Sequence, residues 1–399
     1  MPKPSLRVRL KTVAESVVRQ GHPWVFDGSI RELNRPGETG ELAVIYDRND
    51  EFLAIGLFDA ESPIRIRILH RGKPVKITEQ WWEERLQAAI DRREGLFENA
   101  TNGYRIINGE NDGWPGLVLD RYDEVFVVKL YTAAWLSRLG ELTQVFRSKW
   151  LANTLVLRLS RNILSAARER GFEDGQKLSG PPFSNPVIFS ENGIRFEADV
   201  IQGQKTGFFL DQRENRSAVE KLSKGRRVLN AFSFSGGFSL YAARGGADSV
   251  TDLDISAHAL ESAVRNFALN SADPNIAKSV HRQIKADAFE WLASNKPEQF
   301  DLIILDPPSL AKKESDRPTA LGAYEKLAAN AITHIREGGI LVAASCSAHV
   351  REEEFFATII TAATASGRRY ERIKSTGHAP DHPSTFLESR YLKCIYLRF

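Results

Sequence analysis

Two short stretches carry residue types suited to covalent chemistry. In FDLIILDPPSLAKKE (300–314) an apolar run ends at Asp306-Pro307-Pro308, and in ILVAASCSAHV (340–350) another ends at Cys346, between two serines. Prolines lack the N–H that a central strand needs, so Pro307 and Pro308 stiffen a loop at the strand's carboxyl end. In open α/β sheets that end binds ligands. An aspartate there is either a structural cap or a hydrogen-bonding partner for a planar substrate, and a rigid Asp-Pro-Pro loop favours the grip on a nucleobase. A cysteine there is either a small buried hydrophobe or a nucleophile. A strand-end position between polar neighbours favours the nucleophile. The second cysteine, Cys394, falls inside YLKCIYLRF and reads as core.

One helical segment separates the two stretches, with Leu321, Tyr324, Leu327, Ala328, Ala331 and Ile335 on one face, and Gly338-Gly339 is expected to stop it. Strand, helix and strand in that order predict two parallel neighbours, roughly 5 Å apart. Asp306 and Cys346 then share the carboxyl edge of one sheet.

The segment RVLNAFSFSGGFSLYAARGGA (227–247) reads as strand, glycine turn and helix. It lacks GxGxxG, so a dinucleotide with a pyrophosphate is disfavoured, and S-adenosylmethionine (SAM) fits better. Asp254 ends the next strand, at roughly the 20-residue spacing from Gly236 expected of a ribose-binding acid, with Asp252 as competitor. Asp287 follows a third strand and precedes a helix. It reads as an N-cap, as a partner for the adenine amino group, or as both.

A thiol and an acid beside a methyl donor suggest one reaction. Cytosine C5 is a poor nucleophile. Thiolate addition at C6 loads electron density onto C5, which can then take a methyl group. An acid contacting N3 assists the addition. No residue stands out as the base that later removes the C5 proton. His349 is either a surface residue or a group that helps activate Cys346.

The rest of the chain must position these residues. At 399 residues it suggests two or three domains. Residues 1–73 look β-rich, with the strictly alternating strand IRIRIL (64–69), and read as a compact small barrel. Residues 79–97 change to a helical period, with Trp81, Trp82, Leu86, Ala89 and Ile90 on one face. Pro181-Pro182 and Asn185-Pro186 mark a boundary. Beyond it, apolar strands alternate with helices, which implies a mostly parallel sheet. The boundaries drawn are 1–73, 74–186 and 187–399.

Net charge is +3, a mild basic bias that permits a nucleic-acid partner without requiring one. Lys3, Arg7, Arg9, Lys11 and Arg19 form a local basic cluster that suits solvent or phosphate equally. Two cysteines without CxxC spacing exclude a disulfide framework and a cysteine-rich zinc site, and no metal is expected. No apolar run reaches membrane-spanning length, so a cytoplasmic protein is expected.

Several motifs together resemble a known family. GHPWVFDGSI (21–30), GENDGWPGLVLDRY (109–122), GQKTGFFLDQRENR (203–216), VLNAFSFSGGFSLYAARGGA, LDPPS and SCS occur in the order found in the PUA-domain-containing 5-methylcytosine methyltransferases of large-subunit ribosomal RNA. The resemblance spans nearly the whole chain. It implies an α/β fold: an N-terminal PUA-like β-barrel, a small central α/β domain and a class I (Rossmann-like) methyltransferase domain. It implies SAM as donor, RNA as acceptor, Cys346 as nucleophile and Asp306 as its loop partner, with Pro307 and Pro308 against the base. It places Phe209, Asp211 and Arg213 beside the cofactor, with Phe232, Ser235, Gly236, Asp254, Ser256 and Asp287 lining its pocket. A homodimer is compatible with the resemblance. The chain departs from the family's pattern at Ser309-Leu310, where an aromatic is usual, at Ala348-His349, where a glycine is usual, and around Phe386-Leu387-Glu388, where a tyrosine-proline pair is usual.

Three alternatives remain at this stage. One is methylation of a base nitrogen through the Asp-Pro-Pro loop with Cys346 a bystander. Another is a non-catalytic RNA-binding assembly factor. A nicotinamide-dependent dehydrogenase is disfavoured by the missing GxGxxG.

Overall fold

A computed structural model describes residues 4–97, 100–294 and 298–399. Contacts divide the chain into two compact units, the first comprising Met1–Ser190, Ala198–Phe208 and Pro380–Pro383, the second Glu191–Glu197, Phe209–Ala379 and Ser384–Phe399.

The first unit holds two sheets. A six-stranded mixed sheet runs in the order Trp24–Phe26, Ile64–Arg71, Phe52–Phe58, Leu42–Tyr46, Leu6–Leu10, Ile30–Leu33. Leu6, Val8 and Leu10 alternate into its core, as a half-buried strand requires. Three members of the basic cluster are ion-paired, Arg9 with Asp50 and Arg19 with Asp47, each at 2.5 Å, and Arg7 with Asp50 at 4.0 Å; Lys3 lies outside the described residues. A five-stranded sheet follows, in the order Lys177–Ser179, Thr154–Leu159, Val125–Leu130, Leu117–Tyr122, Gly103–Asn108. The helix Glu79–Asp91 starts where Thr78 accepts a hydrogen bond from the Trp81 N–H, and it buries Trp81, Trp82, Leu86 and Ala89. One core joins Leu57 and Leu69 to Trp82, Trp114 and Trp135. The segments 1–73 and 74–186 therefore share a unit.

The second unit is built on a seven-stranded sheet. Its strands, in chain order, are β1 (Arg227–Ala231), β2 (Ser249–Asp254), β3 (Val280–Lys285), β4 (Phe300–Leu305), β5 (Ile335–Ser345), β6 (Glu371–Thr376) and β7 (Lys393–Arg398). Their spatial order is β3-β2-β1-β4-β5-β7-β6. The first five are parallel, and β7 is antiparallel to both neighbours. Helices α1 (Arg213–Lys221), α2 (Gly237–Arg244), α3 (Ala257–Leu269), α4 (Ala288–Leu292), α5 (Arg317–Thr333) and α6 (Glu352–Ala365) cover it. Ile303, Leu305, Leu341 and Ala343 pack against Tyr324, Leu327, Ala328 and Ala331 of α5.

Strand order reverses between β1 and β4, and the crevice at such a reversal is where ligands bind. The expected parallel pairing is present, with Leu305 opposite Ala343. The glycines differ from expectation. The helix α5 ends at Thr333, and Gly338-Gly339 lie within β5. There the register slips between Phe300 and Leu302. Gly338 takes a φ of +75°, and a Cβ on Gly339 would meet the Ile335 side chain at 2.6 Å and the Arg336 carbonyl at 2.8 Å. The pair makes an irregularity inside a strand rather than a helix stop.

Candidate active site

Every residue singled out in the sequence for chemistry lies in the second unit. Asp306 follows β4 and is half-buried, with Pro307 buried and Pro308 exposed behind it. Cys346 follows β5 and is also half-buried. Its Sγ lies 4.0 Å from the Pro307 carbonyl oxygen. The βαβ unit thus brings the thiol against the Asp-Pro-Pro loop.

The serines beside Cys346 explain how. Both are fully buried. The Tyr324 hydroxyl, from α5, bridges Ser345 Oγ at 2.9 Å and Ser347 Oγ at 3.0 Å. Ser347 Oγ accepts the Leu310 N–H at 3.1 Å and the Ala311 N–H at 3.3 Å. Buried backbone donors need partners, so Ser347 fastens the loop after Asp306 to the turn that carries Cys346. The Ser309 hydroxyl joins the same cluster, 3.2 Å from Ser347 Oγ. Cys394 lies on β7, fully buried, and burial pushes its thiol up to about 12.

Asp306 is held from the other side by a residue the sequence reading left unassigned. Gln212 Nε2 donates to Asp306 Oδ1 at 2.9 Å. Asn215 Nδ2 donates to Gln212 Oε1 at 2.6 Å, and Asn215 Oδ1 accepts from the Thr376 hydroxyl at 2.5 Å and the Tyr396 hydroxyl at 3.1 Å. Each amide has its oxygen occupied by the preceding donor, so the chain runs in one direction and delivers an N–H to the carboxylate. The segment 209–216 is therefore tied to the Asp-Pro-Pro loop.

Most of the residues expected to hold the cofactor fall around the turn after β1. Phe232 and Phe234 adopt φ of 61° and 48°, which folds the turn tightly after Ala231. Gly236 has a φ of +74°, and a Cβ there would lie 2.9 Å from the Ala263 Cβ. Asp254 Oδ2 accepts the Phe234 N–H and Oδ1 the Ser256 N–H, both at 2.9 Å. Its competitor Asp252 is fully buried and committed internally, to the Ser239 hydroxyl at 2.5 Å and to His281 Nε2 at 2.7 Å. Phe209 packs edge-on against Phe234, centroids 5.1 Å apart. Phe232 packs against Phe289 at 5.5 Å, on the helix that Asp287 caps. The Asp287 cap accepts from Phe289 N at 2.8 Å and Glu290 N at 3.2 Å. The Tyr391 hydroxyl donates to Asp211 Oδ2 at 2.8 Å. Arg213 is 1% exposed. Ser256 is exposed and caps its own helix by accepting the Ala259 N–H.

These residues fit SAM. Carboxylates at the ends of β2 and β3 suit ribose hydroxyls and an adenine amino group. The Ser233 and Ser235 hydroxyls are buried with no hydrogen-bond partner among the described residues, a cost that a polar ligand removes. His349 lies with Nδ1 3.5 Å from Glu314 Oε2 and its side chain 40% exposed.

A β3-β2-β1-β4-β5-β7-β6 sheet with this loop set defines a class I SAM-dependent methyltransferase domain. Comparison with known proteins agrees. The model of the S-adenosylmethionine-dependent methyltransferase family matches residues 104–387, and that of the PUA-like domain matches residues 8–71. The chain belongs to this SAM-dependent methyltransferase family and carries a PUA-like domain at its N-terminal side. It is 56% identical over 402 residues to the ribosomal RNA large subunit methyltransferase of Deinococcus radiodurans, covering 99% of this chain and 98% of that protein. It is 34% identical over 412 residues to ribosomal RNA large subunit methyltransferase I of Shewanella denitrificans, covering 99% of each. Its fold is similar to that of a Streptococcus mutans protein described as a SAM-dependent methyltransferase, with a TM-score of 0.82, 21% identity and coverage of 99% of this chain and 100% of the other. A protein described as a methyltransferase and crystallised with SAH has a TM-score of 0.84 at 22% identity, with 100% of each chain covered.

The sequence reading missed Gln212, the bonds of Tyr324 to the two serines, and the burial of Lys393, 1% exposed at the start of β7. Gln212 sits between two residues that the resemblance already assigned. Its partner Asp306 is remote in sequence, and nothing local announces the bond. Lys393 left a readable mark, a lone charge entering the apolar run CIYL.

Proposed function

We propose that this chain methylates C5 of a cytosine in large-subunit ribosomal RNA, in the cytoplasm, through a covalent adduct of Cys346. The observation that carries the reading is the meeting of a half-buried thiol with the Asp-Pro-Pro loop, Sγ standing 4.0 Å from the Pro307 carbonyl. The names of the relatives from Deinococcus radiodurans and Shewanella denitrificans support ribosomal RNA as the substrate class.

When bound, SAM supplies an electrophilic methyl group. The protein's own residues do the rest. The Cys346 thiolate adds to C6, forming the S–C6 bond and moving the C5–C6 electron pair to C5. Asp306, oriented by Gln212, acts in its protonated form as the acid: its proton passes to N3 as the addition places negative charge on the ring, and returns when the adduct collapses. Pro307 and Pro308 stiffen the wall against which the base lies. After C5 takes the methyl group, a base removes the C5 proton, the C5–C6 double bond re-forms and the thiolate leaves. A base must leave its helix or loop stack to reach such a site. The PUA-like sheet is suited to contacts with RNA shape and phosphate.

The product nucleoside tests this directly. RNA methylated with isotopically labelled SAM is digested to nucleosides and separated by mass. The reading predicts 5-methylcytidine. Label in a methylated adenosine or guanosine would overturn it in favour of nitrogen methylation through the Asp-Pro-Pro loop.

A further inference from the structure

Lys393 opens β7 and pairs across the sheet with Ser345, the residue before Cys346. Sequence alone assigns this strand to packing. Yet Lys393 is only 1% exposed, and lysine is rarely buried so completely unless it is paired. Its Nζ donates to the carbonyl oxygens of Ser347 and Val350, each at 2.5 Å, and of Tyr391 at 3.2 Å. Those acceptors are neutral. Two of them belong to the turn Cys346–Val350, which therefore wraps a buried ammonium. Burial lowers Lys393 to about 8, while the negative charges of Cys346, Glu352 and Glu354 act in the opposite sense. The coupling is mutual: a thiolate that favours the ammonium is favoured by it to the same degree.

We propose that Lys393 is the positioning residue that activates Cys346, clamping the Cys346–Val350 turn through two carbonyls and supplying the positive charge that holds the thiol as thiolate. The inference rests on the reading of Cys346 as the nucleophile. The thiolate is the reactive form, and a neighbouring lysine favours it. The other groups facing the turn do not take this role. Tyr324 from α5 is a neutral hydrogen-bond partner of the serines, its hydroxyl pushed up by burial. Glu352 and Glu354 on α6 are acids, as is Asp306 after β4. The imidazole of His349, also in the turn, points to Glu314. A buried charge without a carboxylate costs stability, and the proposal gives that cost a use.

The test is the rate at which limiting iodoacetamide alkylates Cys346 in the full-length protein, read by mass spectrometry at pH 7 and pH 9.5. Lys393→Gln keeps N–H donors for the carbonyls and removes the charge; Lys393→Arg keeps the charge. At pH 7 Lys393→Gln is expected to react about tenfold more slowly than wild type, and Lys393→Arg within about threefold of it. At pH 9.5, where Lys393 itself is largely neutral, the difference between wild type and Lys393→Gln closes. Buried Cys394 stays unlabelled in every folded variant. Equal rates at pH 7, or the same ratio at both pH values, overturn the proposal. Should Cys394 of Lys393→Gln become labelled, wild type decides. A wild-type rate at pH 7 no faster than that of an exposed model thiol then overturns it. The nucleophile reading is tested apart from this, by covalent capture of RNA containing 5-azacytidine. Failure of capture with the alkylation difference intact overturns that reading and leaves the effect of Lys393 on the thiol.

Discussion

At the scale of single residues, the site is a set of small side chains whose positions are fixed by neighbours. Asp306 depends on Gln212. Replacing Gln212 with Met keeps the volume and removes the N–H, so the carboxylate loses its orientation. The expected result is a fall in kcat of about 10- to 100-fold with little change in KM for RNA, since the contact positions a reacting group. Steady-state methylation with saturating SAM measures it, and an unchanged kcat would separate Gln212 from the chemistry. Much of this scale was legible in sequence. Asp306 and Cys346 stood out because prolines and polar residues do not end buried strands without a reason. The serines flanking the cysteine were legible as polar but not as fasteners, because their partner Tyr324 lay on a helix face that read as core.

At the scale of elements, one crossover does most of the positioning. The β4–α5–β5 unit sets the two loops side by side, and Ser347 ties them. Ser347→Ala leaves the Leu310 and Ala311 N–H groups without their acceptor in a buried setting. That costs about 1–3 kcal/mol of stability, measurable as a lower midpoint in urea. Activity should fall further than stability alone accounts for, since the Asp-Pro-Pro loop loosens. The alternation of strand and helix in this half followed from periodicity, and the five parallel strands accord with the mostly parallel sheet that it implied. The glycine pair at 338–339 did not follow, because a glycine that ends a helix and one that bends a strand look alike in sequence. The antiparallel β7 was readable as a strand. Its insertion between β5 and β6 was not, since sheet order depends on contacts remote in sequence. That insertion is what brings Lys393 to the cysteine turn.

At the scale of the molecule, a PUA-like domain accompanies a class I methyltransferase domain, with a net charge of only +3. Charge so modest, with Arg9 and Arg19 already paired to acids, argues for local basic patches rather than a uniformly basic surface. RNA affinity should still fall as salt rises, because phosphate contacts release counterions. A filter-binding series from 50 to 200 mM salt, about a fourfold range, should lower affinity at least tenfold if a few phosphates are contacted. A flat series would remove phosphate contacts from the account. The division into two compact units was only partly legible. Pro181-Pro182 and Asn185-Pro186 mark the region where the first unit gives way to the second. The return of Pro380–Pro383 to the first unit was not foreseen. It rests on buried bonds from Arg93 to the Asp381 carbonyl and from the Arg105 N–H to the Asp381 carboxylate, at 2.7 and 2.9 Å. Asp381 thus anchors the fold at a distance in sequence from its partners.

The central claim is that Cys346 forms a bond to the base. Substituting 5-azacytidine into the RNA tests it most directly, because a nitrogen at position 5 leaves no proton to remove and the adduct cannot resolve. With SAM present, wild type should yield a protein–RNA species that survives a denaturing gel, and Cys346→Ala should yield none while still binding SAM. An equal yield of RNA methylation from both proteins, with no denaturation-resistant species from either, would contradict the account.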